Sequence, residues 1–90
     1  GFDLPAPDFA AFYRVQAKGA KLARRGQDWQ LTTPAGKEAL SPAAARVAEW
    51  ALPRDVITRA EAEAALPDLD EADLRGALSQ LRTLGILLRA

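Results

Sequence analysis

The stretch that decides the fold runs from residue 58 to residue 88 and reads TRAEAEAALPDLDEADLRGALSQLRTLGILL. Thr58 is followed three residues later by Glu61, which is the Thr-x-x-Glu spacing of a helix capping box. Pro67 cannot continue a helix, so the helix that begins after Thr58 should end at Leu66. The spacing therefore predicts a short helix followed by a brief turn.

A longer helix is predicted immediately after this turn. Asp70 is the expected N-cap, and Leu69 and Leu74 have the spacing of a hydrophobic staple around it. Gly85 is well placed as the C-terminal cap. Ile86-Leu87-Leu88 is then predicted to form a short final strand. The inner stripe of the helix has the helical period and consists of Leu74, Ala77, Leu78 and Leu81.

A third helix is predicted upstream of these two. Ser41 is its expected N-cap, and Pro42 occupies the first helical position, where a missing N–H costs nothing. The helix should run to about Leu52, because Pro53 follows. The inward-facing residues are expected to be Val47, Trp50 and Ala51. The predicted common core consists of Trp50, Leu74, Leu78 and Leu81, with Val47 and Leu66 beside them.

A β-hairpin is predicted before the helices. Residues 20–23 and 29–32 are short apolar-polar runs on either side of a connection that contains Gly26. Leu22, Trp29 and Leu31 would supply its buried face, and residues 33–36 form a loop punctuated by Pro and Gly. We expect the final strand to pair with the free edge of this hairpin.

The N-terminal residues leave two alternatives open. The spacing of Phe9, Phe12 and Tyr13 fits a short helix, whereas residues 12–16 fit a strand equally well. Residues 1–8 contain Pro5 and Pro7 and are predicted to be a linker. The expected architecture is thus one α+β domain over residues 9–90, with an N-terminal β-hairpin, three helices and a short C-terminal strand.

This order, with the Leu-x-x-x-Gly-Ile-Leu phrase at residues 81–87, resembles a winged helix, in which a helix-turn-helix is followed by a strand. More narrowly, the chain is similar to the winged-helix domains appended to the C-terminus of bacterial JmjC-type cupin oxygenases and of some methyltransferases. The resemblance implies a regulatory or interaction module of a larger enzyme. The absence of Met and the start at Gly1 also suggest an excised part of a longer protein.

Composition excludes most catalytic chemistry for this chain. It contains no His and no Cys, so the usual zinc ligands, the usual neutral-pH base and a thiolate nucleophile are all absent. Ser41 is better explained as a helix cap than as a nucleophile. The acidic residues at 68–73 cluster at a helix N-terminus, where negative charge is favourable, and lack the spacing of a calcium loop. We expect no enzymatic activity, no cofactor and no metal.

DNA binding is the alternative function. In a winged helix the third helix enters the major groove, and its exposed face here offers Arg75, Ser79, Gln80 and Arg82. Against this, residues 59–75 hold two Arg and six acids, a local charge of −4, at the end that would approach the phosphates. Too few residues follow the third helix to form a hairpin wing.

Protein interaction is the function that we favour from the sequence. Residues 14–25 hold five basic residues and no acid, although the whole chain has zero net charge. The expected partner is the parent-chain domain, another protein, or a second copy in a weak homodimer. With no apolar span and no signal-peptide pattern, we expect no membrane partner and a cytoplasmic location. The predicted interaction residues are Phe9, Phe12, Tyr13, Arg24 and Arg25.

Overall fold

The structure is a computed structural model and describes residues 12–89. Within that range the chain forms an α+β domain with three helices and two three-stranded antiparallel sheets. The strands are β1 (Phe12–Val15), β2 (Lys21–Arg25), β3 (Asp28–Thr33), β4 (Gly36–Leu40), β5 (Val56–Thr58) and β6 (Leu87–Arg89). The helices are α1 (Pro42–Ala51), α2 (Arg59–Ala65) and α3 (Glu71–Thr83).

The two sheets differ in how they are assembled from the chain. Sheet I has the order β5-β1-β6 and joins strands that are far apart in sequence. Sheet II has the order β2-β3-β4 and is a meander of consecutive strands. Sheet II packs against α1, α1 packs against α3, and α3 packs against β6 of sheet I. The two helices α1 and α3 therefore lie between the sheets.

All three helix starts are built from the caps that the sequence predicts. The side chain of Ser41 accepts the N–H of Ala44 at 3.1 Å. Thr58 and Glu61 complete a reciprocal capping box, with bonds of 3.0 and 2.9 Å. Asp70 accepts the N–H of Asp73 at 2.7 Å. Each cap satisfies backbone donors that the first turn of a helix otherwise leaves without a partner.

The end of α3 confirms Gly85 as its cap. Gly85 has a φ of +80°, its N–H donates to the carbonyl of Arg82, and the next N–H, of Ile86, donates to the carbonyl of Leu81 at 3.0 Å. These two bonds form a Schellman motif, in which the left-handed residue reverses the chain. The reversal sends Leu87 directly into β6, where it is fully buried.

The core is close to the predicted one. Val47, Leu78 and Leu81 are completely buried, and Leu66 is nearly so. The prediction that Trp50 is buried is wrong: Trp50 is only half-buried and packs against the core, and the guanidinium of Arg54 lies 4.9 Å from the centre of its ring. The predicted stripe of α3 is buried along its whole length: Leu74, Ala77, Leu78 and Leu81.

The predicted strand order is wrong in one respect. The final strand pairs with β1, not with the hairpin, and the register places Val15 opposite Leu87. The edge of the hairpin beside β3 is occupied by β4, which the sequence analysis did not identify. Pairing with β1 also joins Tyr13, Ile57 and Leu87 into one buried face, since all three are completely inaccessible to solvent.

Two further predictions are corrected at the N-terminal side. From Phe12 onward the chain is a strand, so the helical alternative is wrong for Phe12 and Tyr13. β5 was not identified, and it pairs with the other edge of β1. The predicted linker over residues 1–8 and the start of the domain at Phe9 lie outside the described residues. In the part of the chain that is described, no helix has both the length and the apolarity to cross a membrane.

Candidate interaction surface

The outer face of sheet I is an apolar surface with one charge at its centre. The register places Val56 opposite Arg14 on one side and Leu88 opposite Arg14 on the other, so the three side chains form a row across the sheet. Phe12 lies two residues from Arg14 and therefore on the same face. We use the name outer face of sheet I for Phe12, Arg14, Val56 and Leu88.

This face is exposed to an extent that is unusual for its residue types. Phe12 is 56% exposed, Val56 is 51% exposed and Leu88 is 43% exposed. Among the described residues these are the exposed large hydrophobic side chains, and all three share one side of one sheet. Single exposed apolar residues need no explanation, but a contiguous group indicates an interaction site.

The apolar face arises from pairs of adjacent apolar residues in the two edge strands. Successive side chains of a strand point to opposite faces. In β5, Ile57 is buried and its neighbour Val56 is exposed; in β6, Leu87 is buried and its neighbour Leu88 is exposed. Each pair thus supplies one residue to the core and one to the outer face.

The structure does not bring the predicted interaction residues together. Phe12 lies on the outer face of sheet I, but Tyr13 points to the opposite face and is completely buried. Tyr13 therefore offers no contact area to a partner, and its assignment to an interaction surface is wrong. Phe9 lies outside the described residues. Arg24 and Arg25 lie in β2, which belongs to the other sheet.

Arg24 and Arg25 also point to opposite faces of sheet II, because they are consecutive in a strand. Arg24 shares a face with Trp29, which is its register partner. The guanidinium of Arg24 lies 5.8 Å from the centre of the Trp29 ring, and its Nε donates to the carbonyl of Gly26 at 3.0 Å. Arg24 is therefore engaged by its own hairpin, and only Arg25 belongs to the outer face of sheet II.

The outer face of sheet II is polar in contrast. Lys21 and Lys37 are both register partners of Thr32, so they flank it in a row across the three strands. Gln30 lies in the next row, between Ala23 and Ala39. This face carries positive charge and no large apolar side chain, which is typical of a surface in contact with water.

The four residues of the DNA-binding alternative lie on α3. Two of them, Gln80 and Arg75, bond to other residues of the chain. The Gln80 side chain accepts the N–H of Ser41 at 3.3 Å and donates to the carbonyl of Ala39 at 3.1 Å, which ties α3 to the start of α1. Arg75 pairs with Glu71 at 3.3 Å. Arg82 is half-buried near the end of α3.

A groove of about 860 Å³ lies between α1 and α3 and is lined in part by Ser79. Its floor includes Gly76, and an added Cβ there would meet no atom within 4 Å. Arg46 borders the groove and forms an ion pair with Asp68. The hydrogen bond from the Arg46 guanidinium lowers the pKa of Asp68 from its ordinary value, and the bonded carboxylate of Asp68 raises the pKa of Arg46.

The acidic residues at the start of α3 have structural partners. Asp70 is the N-cap, Asp68 is paired with Arg46, and Glu71 is paired with Arg75. Over residues 12–89 no group of three or more potential ligands has the geometry to hold a metal ion. The described part of the chain contains no buried side-chain oxygen or nitrogen without a hydrogen-bond partner.

Of the four residues of this surface, Phe12 was predicted as an interaction residue, and Arg14 was noted only as part of the basic stretch over residues 14–25. Val56 and Leu88 were missed. The signal that could have found them is the doublet of apolar residues, Val56-Ile57 and Leu87-Leu88, since a strand must place one member of each on its outer face. No family model, curated protein or solved structure matches this chain.

Proposed function

We propose that this chain is a non-catalytic protein-interaction module, with a winged-helix-like arrangement, that serves as a regulatory C-terminal domain of a larger protein. The docking site is the outer face of sheet I. The order of α2, a brief turn, α3 and β6 supports the winged-helix resemblance. The resemblance to domains appended to bacterial oxygenases and methyltransferases supports the role in a larger protein.

The observation that carries the proposal is the shared orientation of Phe12, Val56 and Leu88. Leaving three large apolar side chains in water forgoes hydrophobic stabilisation of about 25 cal/mol for each Å² of apolar surface. That cost is recovered when a partner covers the face. The outer face of sheet II shows that the same chain also builds a polar sheet surface, so the apolar one is not a general property of its strands.

The size and charge of the face indicate what length and charge its partner should have. Three strands about 4.8 Å apart and four residues long cover only about 200 Å². This is well below the roughly 800 Å² per partner of a stable protein complex, which disfavours a stable homodimer through this face. A short polypeptide segment fits the area. Arg14 at the centre favours a segment that carries a carboxylate among its apolar residues.

Titration of the full chain with two matched peptides tests the proposal. The first peptide alternates Leu with Asp, and the second alternates Leu with Lys. In ¹⁵N correlation spectra we expect the acidic peptide to shift the amide resonances of Val56 and Leu88 more strongly than those of Thr32 in sheet II. Its affinity should exceed that of the basic peptide by about two- to fivefold, the worth of one exposed ion pair.

Reversal of the central charge provides the control. Arg14→Glu should invert the preference, so that the basic peptide binds more tightly. Arg25→Glu on the outer face of sheet II changes the net charge by the same amount and should leave the preference as it is. If both peptides shift the two sheets equally, or if neither binds, the outer face of sheet I is not a docking site.

DNA binding is the alternative, supported by the helix-turn-helix order and by Arg75 and Arg82 on α3. The six acids over residues 59–75 and the intrachain bonds of Gln80 weigh against it. In a fluorescence-anisotropy titration at physiological salt we expect only weak binding of duplex DNA without sequence preference. Submicromolar affinity that is lost in the Arg75→Ala, Arg82→Ala double variant would favour the alternative.

A further inference from the structure

We propose that the free edge of β2 is a second binding site, at which an acidic polypeptide segment adds to sheet II as a further strand. This site goes beyond the docking function proposed for sheet I and lies on the other sheet. Three observations support it: the backbone groups that β2 leaves unpaired, the contrast with the edge of β4, and the charges beside the edge.

The outer edge of β2 presents backbone groups that have no strand to pair with. β2 is a terminal strand of sheet II, is five residues long, and among the described residues pairs only with β3. The two-residue turn at 26–27 makes Arg25 and Asp28 a hydrogen-bonded pair, and such pairs alternate along an antiparallel ladder. The N–H and C=O groups of Leu22 and Arg24 therefore point away from β3. An exposed row of this kind is a template for a further strand.

The edge of β4, on the other side of sheet II, is closed at its C-terminal end by a side chain of α3. The Gln80 amide accepts the N–H of Ser41 at 3.3 Å and donates to the carbonyl of Ala39 at 3.1 Å. These are the two bonds that the backbone of an adjacent strand would form. No hydrogen bond from the described residues closes the edge of β2 in this way. In the described chain, the edge of β2 is therefore more open to an added strand than the edge of β4.

The charges beside this edge favour an acidic strand. Lys21 and Arg25 are exposed on the outer face of sheet II, with the small Ala23 between them. Asp28 is the register partner of Arg25, but the two form no ion pair. A second copy of β2 would bring like charges opposite each other, which is unfavourable, whereas carboxylates on an added strand would form opposite-charge pairs with Lys21 and Arg25. The same two charges thus disfavour self-association and favour an acidic partner.

Titration of the full chain with a short peptide that alternates Thr and Glu tests the site. The matched peptide alternates Thr and Lys, and neither has a large apolar side chain to bury against the outer face of sheet I. At saturation, the Thr–Glu peptide should slow hydrogen exchange of the Leu22 and Arg24 amides by at least about fivefold, because these N–H groups gain partners. The amides of Ala23 and Arg25 already bond to β3 and should exchange as before. Affinity for the Thr–Glu peptide should exceed that for the Thr–Lys peptide by at least about fivefold.

Reversal of one charge at the edge provides the matched control. Lys21 and Lys37 flank Thr32 in the same row of sheet II, but only Lys21 belongs to β2. Lys21→Glu should weaken binding of the Thr–Glu peptide by about three- to tenfold. Lys37→Glu changes the net charge equally, but it lies three strand spacings, about 14 Å, from the added strand and is screened at physiological salt. It should change the affinity by less than about twofold.

Methylation of the peptide backbone tests strand addition directly. In an antiparallel added strand, the residues opposite Leu22 and Arg24 point their N–H groups at β2, and these are the Thr positions when Glu faces Lys21 and Arg25. N-methylation of the Thr residues should therefore abolish binding, whereas N-methylation of the Glu residues should leave it intact. The two methylated peptides carry the same charge. Equal affinity of the two would show that the contact is only ionic and would overturn strand addition.

The amides that respond separate this site from the outer face of sheet I. Shifts at Val56 and Leu88 report on sheet I, whereas protection of Leu22 and Arg24 reports on the edge of β2. If the Thr–Glu peptide protects neither Leu22 nor Arg24 at any concentration, the edge is not a binding site, and the docking function of sheet I still stands. A dimer of the chain alone in sedimentation, with both amides already protected, would assign the edge to a second copy and would likewise contradict the proposal.

Discussion

The two sheets use the same secondary structure but treat their outer surfaces in opposite ways. Both bury apolar side chains on the inner face, where Leu31 of sheet II and Ile57 of sheet I are completely inaccessible. On the outside, sheet II presents lysines around Thr32, whereas sheet I presents Val56 and Leu88. The inner faces stabilise the fold, whereas the outer faces differ in the chemistry that they present to solvent.

The difference also follows the way in which each sheet is built. Sheet II is a local meander, and its turn at residues 26–27 and its turn at residues 34–35 each close within the sheet. Sheet I gathers three strands from the two ends and the middle of the described chain. The outer face of sheet I therefore exists only when strands that are remote in sequence have paired, whereas sheet II is built from strands that are neighbours in sequence.

The largest expected effects come from the core that joins the two halves. Leu31→Ala in sheet II and Leu78→Ala in α3 should each lower the free energy of unfolding by about 2–5 kcal/mol, because both side chains are fully buried. Urea unfolding followed by circular dichroism measures the loss. Amide exchange should show that both sheets lose protection together. If Leu31→Ala releases sheet II alone, the two halves unfold independently.

The connection between the sheets should be the next most sensitive position. Gly19 has a φ of +75°, and a Cβ there would lie 2.8 Å from Cγ of Pro34 in the β3–β4 turn. Gly19→Ala should cost about 1–2 kcal/mol for the left-handed backbone alone. Gly76→Ala is the matched control: the site is helical and open, so it should gain about 0.5–1 kcal/mol. Thermal melts of the two variants should therefore shift in opposite directions.

The capping box at the start of α2 also fixes the end of β5, at the edge of sheet I, and substitutions in it should have an intermediate effect on stability. Thr58 ends β5 and caps α2, so Thr58→Ala should lower the free energy of unfolding by about 0.5–2 kcal/mol. Glu61→Ala should remove part of the same reciprocal pair, and the double variant should lose less than the sum of the single losses. Strict additivity in denaturant unfolding would show that the two side chains act separately in solution.

The smallest changes in stability are expected on the outer faces themselves. Val56→Thr and Leu88→Thr on sheet I, and Thr32→Ser on sheet II, should each change the free energy of unfolding by no more than about 0.5 kcal/mol. Their effects on peptide binding should differ. The two substitutions on sheet I remove apolar contact area without adding charge and should weaken binding of the acidic peptide, whereas Thr32→Ser should leave it unchanged. Equal losses on both sheets would remove the distinction between them.

The candidate site was only partly predictable from the sequence. Phe12 was predicted as one of a group of aromatic interaction residues, and Tyr13 was placed in the same group because it is adjacent in sequence. Strand alternation separates the two, and the same alternation separates Arg24 from Arg25. Val56 and Leu88 were not predicted as surface residues, because each belongs to a three-residue strand, which is too short to show a periodic pattern.

The sequence by itself determined the features that close within a few residues. The caps at Ser41, Thr58 and Asp70 each join a side chain to a backbone N–H three residues away, and the reversal at Gly85 uses carbonyls of the preceding turn. The stripe of α3 follows from the helical period alone. Such features depend on contacts between residues that are close in sequence, so they can be predicted from the sequence alone.

Only the tertiary structure decided which strands pair and which faces remain in water. β1 meets Val56 more than forty residues later and Leu88 more than seventy residues later, and no short-range pattern encodes those partners. β4 has a single buried residue, Leu40, and becomes a strand because the turn at residues 34–35 returns it to β3. Strand pairing satisfies backbone groups with whichever edge the packed core brings near, and that choice left the apolar face of sheet I exposed.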